Sequence, residues 1–251
     1  FIIVARVDQD RVGIRNQRIP ILWLHIGANL ALWVDAINAY LDGFHFYNGQ
    51  MKVQMEAHHY CALLNEDVIQ CTIYDGNVKD AKLMGVEYII SETLFAGLPE
   101  QEKALWHSHV QEVKSGQLIA PGIPEVAEHA LMEKLIHTYG KTWHTWHTDL
   151  DKDLPRGMPQ LMMGFTADGQ ADPAMVAARD ARLGVSSEDK RKRRADIAAP
   201  PIDAGADAWQ KGKVIQIEDP TGGHAHAGKE DPDAPSDGDK NATSKGSSSG
   251  R

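Results

Sequence analysis

The chain has 251 residues, of which 42% are hydrophobic and 24% are charged. A chain of this length forms one substantial domain or two small ones, and its composition is ordinary for a globular protein. Lysine and arginine total 26 against 35 aspartates and glutamates, which gives a formal net charge of −9. Non-specific nucleic-acid binding needs clustered positive charge, so we expect no nucleic-acid partner. The two cysteines are too few for a disulfide scaffold and fit a reducing compartment.

The N-terminal segment, residues 1–34, is atypical. Four arginines precede an apolar run from Ile19 to Val34. That order is typical of a signal or targeting segment, and the alternative is a stretch that does not belong to the domain. A membrane-spanning helix needs about 20 apolar residues. Because this run is shorter, we expect no transmembrane segment.

Hydrophobic spacing predicts one helix and three strands in the first half of the domain. Asp35 to Tyr47 has helical spacing, with its apolar side chains on one side. Lys52 to Leu64 alternates between apolar and polar residues, which is typical of a strand with one buried face. Val68 to Tyr74 is the return strand of a hairpin, and Leu83 to Ser91 is a third strand.

The predicted hairpin places the two cysteines together. If its loop is centred on Glu66, Cys61 lies directly opposite Cys71 on the same buried face. A disulfide can bridge residues at that separation. The alternative is a pair of buried reduced thiols, which we favour because nothing else in the sequence indicates an oxidising compartment.

The second half of the domain mixes helices with extended stretches. A helix begins at Leu98–Pro99 and ends near Trp106, and Pro124 to Tyr139 is the clearest helix of the chain. Between them, His107 to Val113 either extends the first helix or forms a strand, and we favour the strand. The remaining predicted elements are a strand at Lys141–Thr148, an extended stretch at Leu154–Phe165 and a helix at Pro173–Leu183.

Together these elements predict an α+β fold over residues 35–182, an antiparallel sheet with interspersed helices. Of the 17 aromatic residues, 16 precede residue 183 and only Trp209 follows. The remaining residues are rich in polar side chains, glycine and proline, so we predict a disordered polar tail over 183–251. Within it, the basic run Lys190–Arg194 is either a nuclear-import signal or a solvated charge run in a flexible segment.

Grouped histidines suggest a metal site. On a strand, His107 and His109 project from one face, at a spacing that lets two imidazoles reach one ion. His58 lies on the polar face of its predicted strand, and Glu87 lies on the less apolar face of the third strand. We predict His58, His107, His109 and Glu87 as candidate ligands for a divalent transition metal such as zinc, manganese or iron. His59 faces the apolar side and is more typical of a core histidine.

Two other interpretations of these residues remain open. Tryptophans flank the histidines, so the groups can instead form an aromatic and polar packing layer with satisfied N–H groups. An acid–base site without metal could pair a histidine with Glu87 or Glu112. Neither common phosphate-binding glycine motif occurs, and no nucleophile elbow of the α/β-hydrolases is present. Catalytic residues and cofactors therefore stay unassigned, and the sequence leaves open whether the chain is an enzyme.

Several motifs recur in the order expected for one family. They are INAYLDGFHFY at 37–47, MEAHHYC at 55–61, GVEYIISE at 85–92, LWHSH at 105–109, YGKTW at 139–143 and PQLMM at 159–163. These motifs resemble the oil body-associated protein family, which carries the DUF1264 domain. The resemblance covers residues 35–165 and leaves residues 1–34 and the tail outside.

The resemblance implies an accessory protein in the cytoplasm, at or near the surface of lipid droplets, with no established reaction. The alternative function is a metal-dependent enzyme that uses the predicted His/Glu site on an unknown substrate. A lipid-surface role requires an amphipathic helix or an exposed apolar patch. The predicted helix at 35–47, with Phe44, Phe46 and Tyr47 near its end, is the best candidate for that surface. Its alternative is a helix that packs against the core.

Overall fold

The computed structural model describes residues 39–218, and most of its regular structure is β-strand. The strands are β1 Ala39–Tyr47, β2 Gln50–Leu63, β3 Val68–Tyr74, β4 Leu83–Ser91, β5 His107–Ser108, β6 Thr138–His144 and β7 Gln160–Met163. The predictions made for residues 1–34 and 219–251 lie outside the described residues.

Six of these strands close into an antiparallel barrel. The strand order is β4-β3-β2-β1-β7-β6, and β6 pairs back onto β4, which closes the ring. The short strand β5 pairs with the first half of β6, while β7 pairs with its second half. Closure pairs strand edges that would otherwise stay open along the sheet.

The predicted α+β fold, with an antiparallel sheet and interspersed helices, is therefore wrong. Local spacing identified most strands, but it could not show that β6 returns to β4, because closure joins residues distant in sequence. The helices are short: α1 Glu92–Ala96, α2 Glu100–Lys103, α3 Val110–Lys114, α4 Glu125–Leu135, α5 Pro173–Leu183 and α6 Ser187–Arg193, with a 3₁₀ turn at Ala208–Lys211.

Strand β1 takes the place of residues 39–47 of the helix predicted at Asp35–Tyr47, and residues 35–38 lie outside the described part of the chain. Its residues from Leu41 to Tyr47 are all buried, on both faces of the barrel wall. A strand that is buried on both faces shows no clean alternation, so its apolar spacing was mistaken for that of a helix. Phe44, Phe46 and Tyr47 are buried, and the predicted lipid-binding surface at this segment is therefore also wrong.

Apolar cores lie on both sides of the barrel wall. One core combines strand residues with helix α4 and includes Leu41, Cys61, Cys71, Ile89, Met132 and Leu135. Another packs α5 against the opposite face of β1 and β7 and includes Phe44, Phe46, Leu161, Met163, Met175 and Val176. Because both faces of β1 are covered, its position fixes the inner and the outer core together.

The predicted hairpin is confirmed. Strands β2 and β3 pair with Cys61 opposite Cys71, and the third predicted strand is present as β4. The two cysteines, whose Cα atoms are 4.0 Å apart, form a disulfide. The preference for reduced thiols was therefore wrong, because it relied on the expected compartment and set aside the predicted geometry.

The second half of the domain is partly as predicted. The segment predicted as a strand at His107–Val113 is split, since β5 holds its first two residues and α3 begins at Val110. Helix α4 ends at Leu135, earlier than predicted, and β6 begins at Thr138. Helix α5 has the predicted bounds, and Gly184 ends it in the left-handed conformation, with φ of 64°.

The predicted disordered tail is wrong for residues 184–218. Helix α6 carries most of the basic run, and Arg194 behind it is buried, donating to the carbonyl oxygens of Val113 and Leu118 at 3.0 and 2.8 Å. Further along, the Trp209 ring packs edge-on against Phe46 with centroids 5.0 Å apart. The amino-acid composition did not predict these contacts, because a few packed side chains such as Arg194 and Trp209 are enough to hold a polar segment against the domain.

The basic run Lys190–Arg194 is paired with acidic side chains. Lys190 and Arg194 contact Glu128, and Arg193 contacts Glu125 at 2.5 Å. The interpretation as a charge run in a flexible segment is therefore wrong. Its role in nuclear import stays a prediction. Within residues 39–218, no helix has the length and apolar character needed to cross a membrane.

We expect Arg179→Ala to lower the free energy of unfolding by about 3–5 kcal/mol. Arg179 of α5 is fully buried and donates to Asp42 of β1 at 2.5 Å, so its loss leaves a buried carboxylate without its guanidinium. The matched control is Arg191→Ala, which removes an exposed pair with Asp168 and should cost less than about 1 kcal/mol. Urea denaturation measures both, and equal small losses would contradict the assignment.

Reduction of the disulfide should destabilise the barrel by about 2–3 kcal/mol, because it frees a loop of ten residues in the unfolded chain. Denaturant titration with and without a reductant measures this difference. Thiol titration of the denatured, unreduced chain should find no free thiol. Two titratable thiols would show that Cys61 and Cys71 are reduced and that the disulfide is not formed.

Candidate metal centre

Glu87 of β4 lies buried inside the barrel, and its neighbours are set by strand register. It pairs with Cys71 on β3 and with Thr142 on β6. Gly140, two residues before Thr142, pairs with His107 on β5. Closure of the barrel therefore brings the β5 histidine next to a carboxylate that is 20 residues away in sequence.

Two histidines and two glutamates face one another in this region. Glu87 Oε1 lies 3.4 Å from His107 Nε2 and 3.4 Å from His109 Nε2. Glu112 Oε2 lies 3.9 Å from each of the same two nitrogen atoms. All four side chains are buried. We call these four residues the His/Glu cluster.

His59 and His45 extend the cluster along the inner face of the barrel. His59 Nε2 lies 2.9 Å from Glu87 Oε2, the second oxygen of that carboxylate. The His45 ring lies 5.0 Å from the His59 ring and 5.9 Å from the His107 ring, centroid to centroid. His45 Nδ1 lies 3.4 Å from His144 Nε2 on β6.

Glycines make the space for these side chains. A Cβ on Gly140 would lie 2.1 Å from Glu87 Oε1 and 2.8 Å from His109 Nε2. A Cβ on Gly164 would lie 3.0 Å from the Glu112 carboxyl carbon. Any side chain at Gly140 would therefore overlap the carboxylate, and at Gly164 the neighbouring atoms would have to shift.

The hydrogen bonds of His109 fix which of its nitrogens faces the cluster. Thr138 donates its hydroxyl proton to the Leu135 carbonyl at 2.7 Å, so its oxygen must accept from His109 Nδ1 at 2.8 Å. In the neutral imidazole this leaves Nε2 without a proton. An unprotonated Nε2 beside two carboxylate oxygens requires a proton or a cation between them.

Several buried atoms of the cluster have no hydrogen-bond partner among the described residues. They include both ring nitrogens of His59 and of His107, and Oε2 of Glu112. The short distance between His59 and Glu87 thus lacks hydrogen-bond geometry. Buried polar atoms are nearly always satisfied, so these atoms point to an occupant of the site.

Burial and charge pairing shift the pKa values of Glu87, His59 and His107 in opposite directions. Burial alone would raise the pKa of Glu87, but His107, His109 and His59 hold it well below its ordinary value. Burial lowers the pKa of His59 and His107, yet the neighbouring carboxylates overcome this and raise both. Burial raises the pKa of Glu112. The site therefore favours positive charge beside an ionised Glu87.

The pair of His45 and His144 forms a neutral wall of the site. Burial and the charge of His59 lower the pKa of both residues, and that of His144 falls to about 3. These imidazoles therefore stay uncharged at neutral pH and can offer lone pairs. His45, Glu87 and His107 could together place one ligand atom each within 4.8 Å of the others.

The space inside the cluster is small. The cavity whose lining includes His59, Glu87, His109 and Glu112 measures about 10 Å³. That volume holds about one water-sized occupant. It therefore suits an ion or a water molecule, while an organic substrate would not fit.

The structure brings together three of the four predicted ligands. His107, His109 and Glu87 converge as described above, while His58 lies on the other face of β2. There its Nδ1 is 3.0 Å from Asp42 and its Nε2 is 3.2 Å from Glu56. His58 is therefore not part of the cluster.

Sequence reasoning misplaced His59 and did not single out His45. It assumed that the polar face of β2 carries the site, whereas the inner face of this barrel carries buried polar groups. Side chains alternate along β2, so His59 lies on the face opposite to that of Glu56 and His58. Assigning the site to that opposite face would have selected His59. Nothing in the local sequence could have found His45, because β1 was predicted as a helix. Glu112 had been considered only as an acid–base partner.

A family model described as a protein of unknown function (DUF1264) matches residues 33–198. The chain belongs to this family. Oil body-associated protein 1A of Zea mays is 45% identical over 201 residues, covering 78% of this chain and 84% of the relative. Oil body-associated protein 1B of Arabidopsis thaliana is 44% identical over 185 residues, covering 74% and 77%.

The family resemblance predicted from the motifs is thereby confirmed. The match with DUF1264 includes β1 through α6, and so it contains the whole His/Glu cluster. A third relative, oil body-associated protein 2A of Zea mays, is 41% identical over 69% of this chain and 72% of its own length. No solved structure matches the chain significantly.

In this DUF1264 member we expect Gly140→Ala to destabilise the fold by about 1–3 kcal/mol, since the added methyl overlaps Glu87 and His109. The control is Gly76→Ala, whose added Cβ would meet its nearest neighbour at 3.7 Å, and which should change stability by less than about 0.5 kcal/mol. Thermal or urea denaturation compares the two. Equal effects would show that the space beside Glu87 is not occupied as described.

Proposed function

We propose that this chain works at the surface of oil bodies as an accessory protein. The observation that carries the proposal is 45% identity, over 78% of the chain, to a relative named as an oil body-associated protein. The aligned length is 84% of that relative, so the similarity extends over most of both chains. Cytoplasmic localisation and nuclear import stay predictions.

An aromatic groove on the outside of the barrel supports this proposal. It measures about 260 Å³, and we call it the Tyr60 groove. Its lining residues are Tyr60, Thr72, Tyr74, Gly76, Val78, Lys79 and Ala81. Tyr60 contacts Tyr74 edge-on, with ring centroids 5.5 Å apart, and stacks on Tyr40 at 5.1 Å.

The occupant we propose for the Tyr60 groove is the phospholipid monolayer of an oil body. Tyrosine rings with a polar tip are favoured where an apolar phase meets water. Val78 is 70% exposed and Leu83 beside the groove is 45% exposed, so apolar surface is available to insert among the lipids. The ammonium group of Lys79 can pair with lipid phosphate. These features support shallow contact with the monolayer.

The predicted alternative function, a metal-dependent enzyme, has less support. The space inside the His/Glu cluster is about 10 Å³, which leaves no room for an organic substrate beside a metal ion. An accessory role at a lipid surface requires no such room. The structure therefore favours the accessory role over the enzyme.

Flotation with artificial oil bodies tests the role of the groove. The double variant Val78→Asp/Leu83→Asp should reduce the fraction that floats with phospholipid-coated triacylglycerol droplets by about tenfold, because it removes apolar contact and adds charge. The control Val126→Asp changes a residue of α4 that is 83% exposed, and it should float like the unmodified chain.

Two results would contradict the proposal. If the unmodified chain does not float, association with oil bodies fails as a function. If the double variant floats as well as the control, the chain meets the droplet through another surface and the Tyr60 groove is not the contact. Circular dichroism of each variant confirms that the barrel is intact.

A further inference from the structure

We propose that Glu87, His107, His109 and Glu112 bind one divalent transition-metal ion inside the barrel, as a closed structural site. The site goes beyond the proposed role at oil bodies and does not depend on it. It differs from the metal site predicted from the sequence, because Glu112 takes the place of His58.

The arrangement of the four ligand atoms carries the proposal. The nitrogen atoms of His107 and His109 are each 3.4 Å from one oxygen of Glu87 and 3.9 Å from one oxygen of Glu112. Ligands bound to zinc at about 2.0–2.1 Å and at the tetrahedral angle lie about 3.4 Å apart. The two distances to Glu87 therefore match the spacing of ligands in a tetrahedral site, and the two distances to Glu112 are about 0.5 Å longer.

Three buried polar atoms of the proposed ligands lack a hydrogen-bond partner among the described residues. They are both ring nitrogens of His107 and Oε2 of Glu112. The Thr138 hydroxyl accepts the Nδ1 proton of His109, so the neutral imidazole directs the lone pair of Nε2 at Glu87 Oε1, 3.4 Å away, where a proton or a cation has to lie between them. A protein group that holds the far side of a ligating histidine is the usual support of metal sites.

The charges of the cluster also suit a divalent cation. Glu87 and Glu112 are both buried and contact imidazoles. A divalent ion would neutralise both carboxylates and leave the histidines neutral, as metal ligation requires. His59 Nε2 lies 2.9 Å from the second oxygen of Glu87, which leaves Oε1 for the ion.

The closure of the site indicates a structural role for the ion. Protein atoms would fill all four positions, and the cavity of about 10 Å³ leaves no open position for a substrate. Structural zinc sites are closed in this way, whereas catalytic sites keep one position free. The ion would tie the segment that carries β5 and α3 to Glu87 on the barrel wall. Imidazole and carboxylate donors in a four-ligand set favour zinc.

Metal analysis of the full-length chain tests the proposal. After dialysis against a weak chelator, the chain should retain or take up about one equivalent of Zn²⁺. A strong chelator should lower the melting temperature by about 5–10 °C, and added Zn²⁺ should restore it. Replacement by Co²⁺ should give the intense visible absorption typical of a tetrahedral cobalt site, which reports the geometry independently of any variant.

Ligand variants, compared with histidine variants outside the cluster, locate the ion. Glu87→Gln and the double variant His107→Ala/His109→Ala each remove ligands. Their affinity for Zn²⁺ should fall by about tenfold or more. His137→Ala removes a histidine that is 46% exposed in its side chain and pairs with Glu92, and it should bind like the unmodified chain. His58→Ala should also keep the ion, because His58 lies outside the cluster.

Several outcomes would overturn the proposal. They are a chain that binds no Zn²⁺ or Co²⁺, a melting temperature that neither ion changes, and zinc binding that survives in the double variant. Loss of the ion in His58→Ala with the fold intact would return the site to the one predicted from sequence. If a cluster variant fails to fold, the cobalt spectrum and the zinc-dependent melting of the unmodified chain still decide the question. Droplet flotation is a separate measurement, so failure of the metal site and failure of the oil-body role are distinguishable.

Discussion

A carboxylate buried inside a β-barrel needs positive charge close to it, and the interior of this protein is arranged around that need at Glu87. Its two oxygens contact His59 on one side and His107 and His109 on the other. Transfer of an unpaired carboxylate from water to such an interior would cost several kcal/mol. The glycine at 140 follows from the same constraint, because the Glu87 carboxylate occupies the place of its Cβ.

Barrel closure is what makes this arrangement possible. The pairing of β4 with β6 sets Glu87 opposite Thr142, and the pairing of β5 with β6 then places His107 beside Gly140. A flat sheet in the same strand order would leave β4 and β6 at a distance, with Glu87 near an open edge. The buried pair of Arg179 and Asp42 holds α5 against the outer face of β1. The inner polar site and the outer packing therefore depend on the same strands.

The two proposed sites lie on opposite sides of the barrel wall. Side chains alternate along β2, so His59 points into the barrel while Tyr60 points out into the aromatic groove. A metal ion beside His59 would stabilise the wall that carries the groove without contacting a lipid. An accessory protein at a droplet surface needs a stable scaffold more than it needs an open catalytic position. The closed His/Glu cluster and the exposed groove are compatible for this reason.

Much of the fold and part of the site follow from the sequence alone. Alternation predicted β2, β3 and β4, and turn chemistry set the register that puts Cys61 opposite Cys71. Strand spacing also predicted that His107 and His109 face one point, and their Nε2 atoms each lie 3.4 Å from Glu87 Oε1. The pattern failed for β1, because both faces of that strand are buried and no alternation remains to be seen.

The sequence by itself determined the family, through motifs in a fixed order, and it determined the hairpin register, which depends on residues close together in the chain. Only the tertiary structure decided that the strands close into a barrel, that His59 lies beside Glu87 while His58 does not, and that residues 184–218 pack on the domain. The physical reason is that burial of a polar side chain depends on which distant strand pairs with its own. Local periodicity shows that a strand has two faces, but the rest of the fold decides which of them meets water.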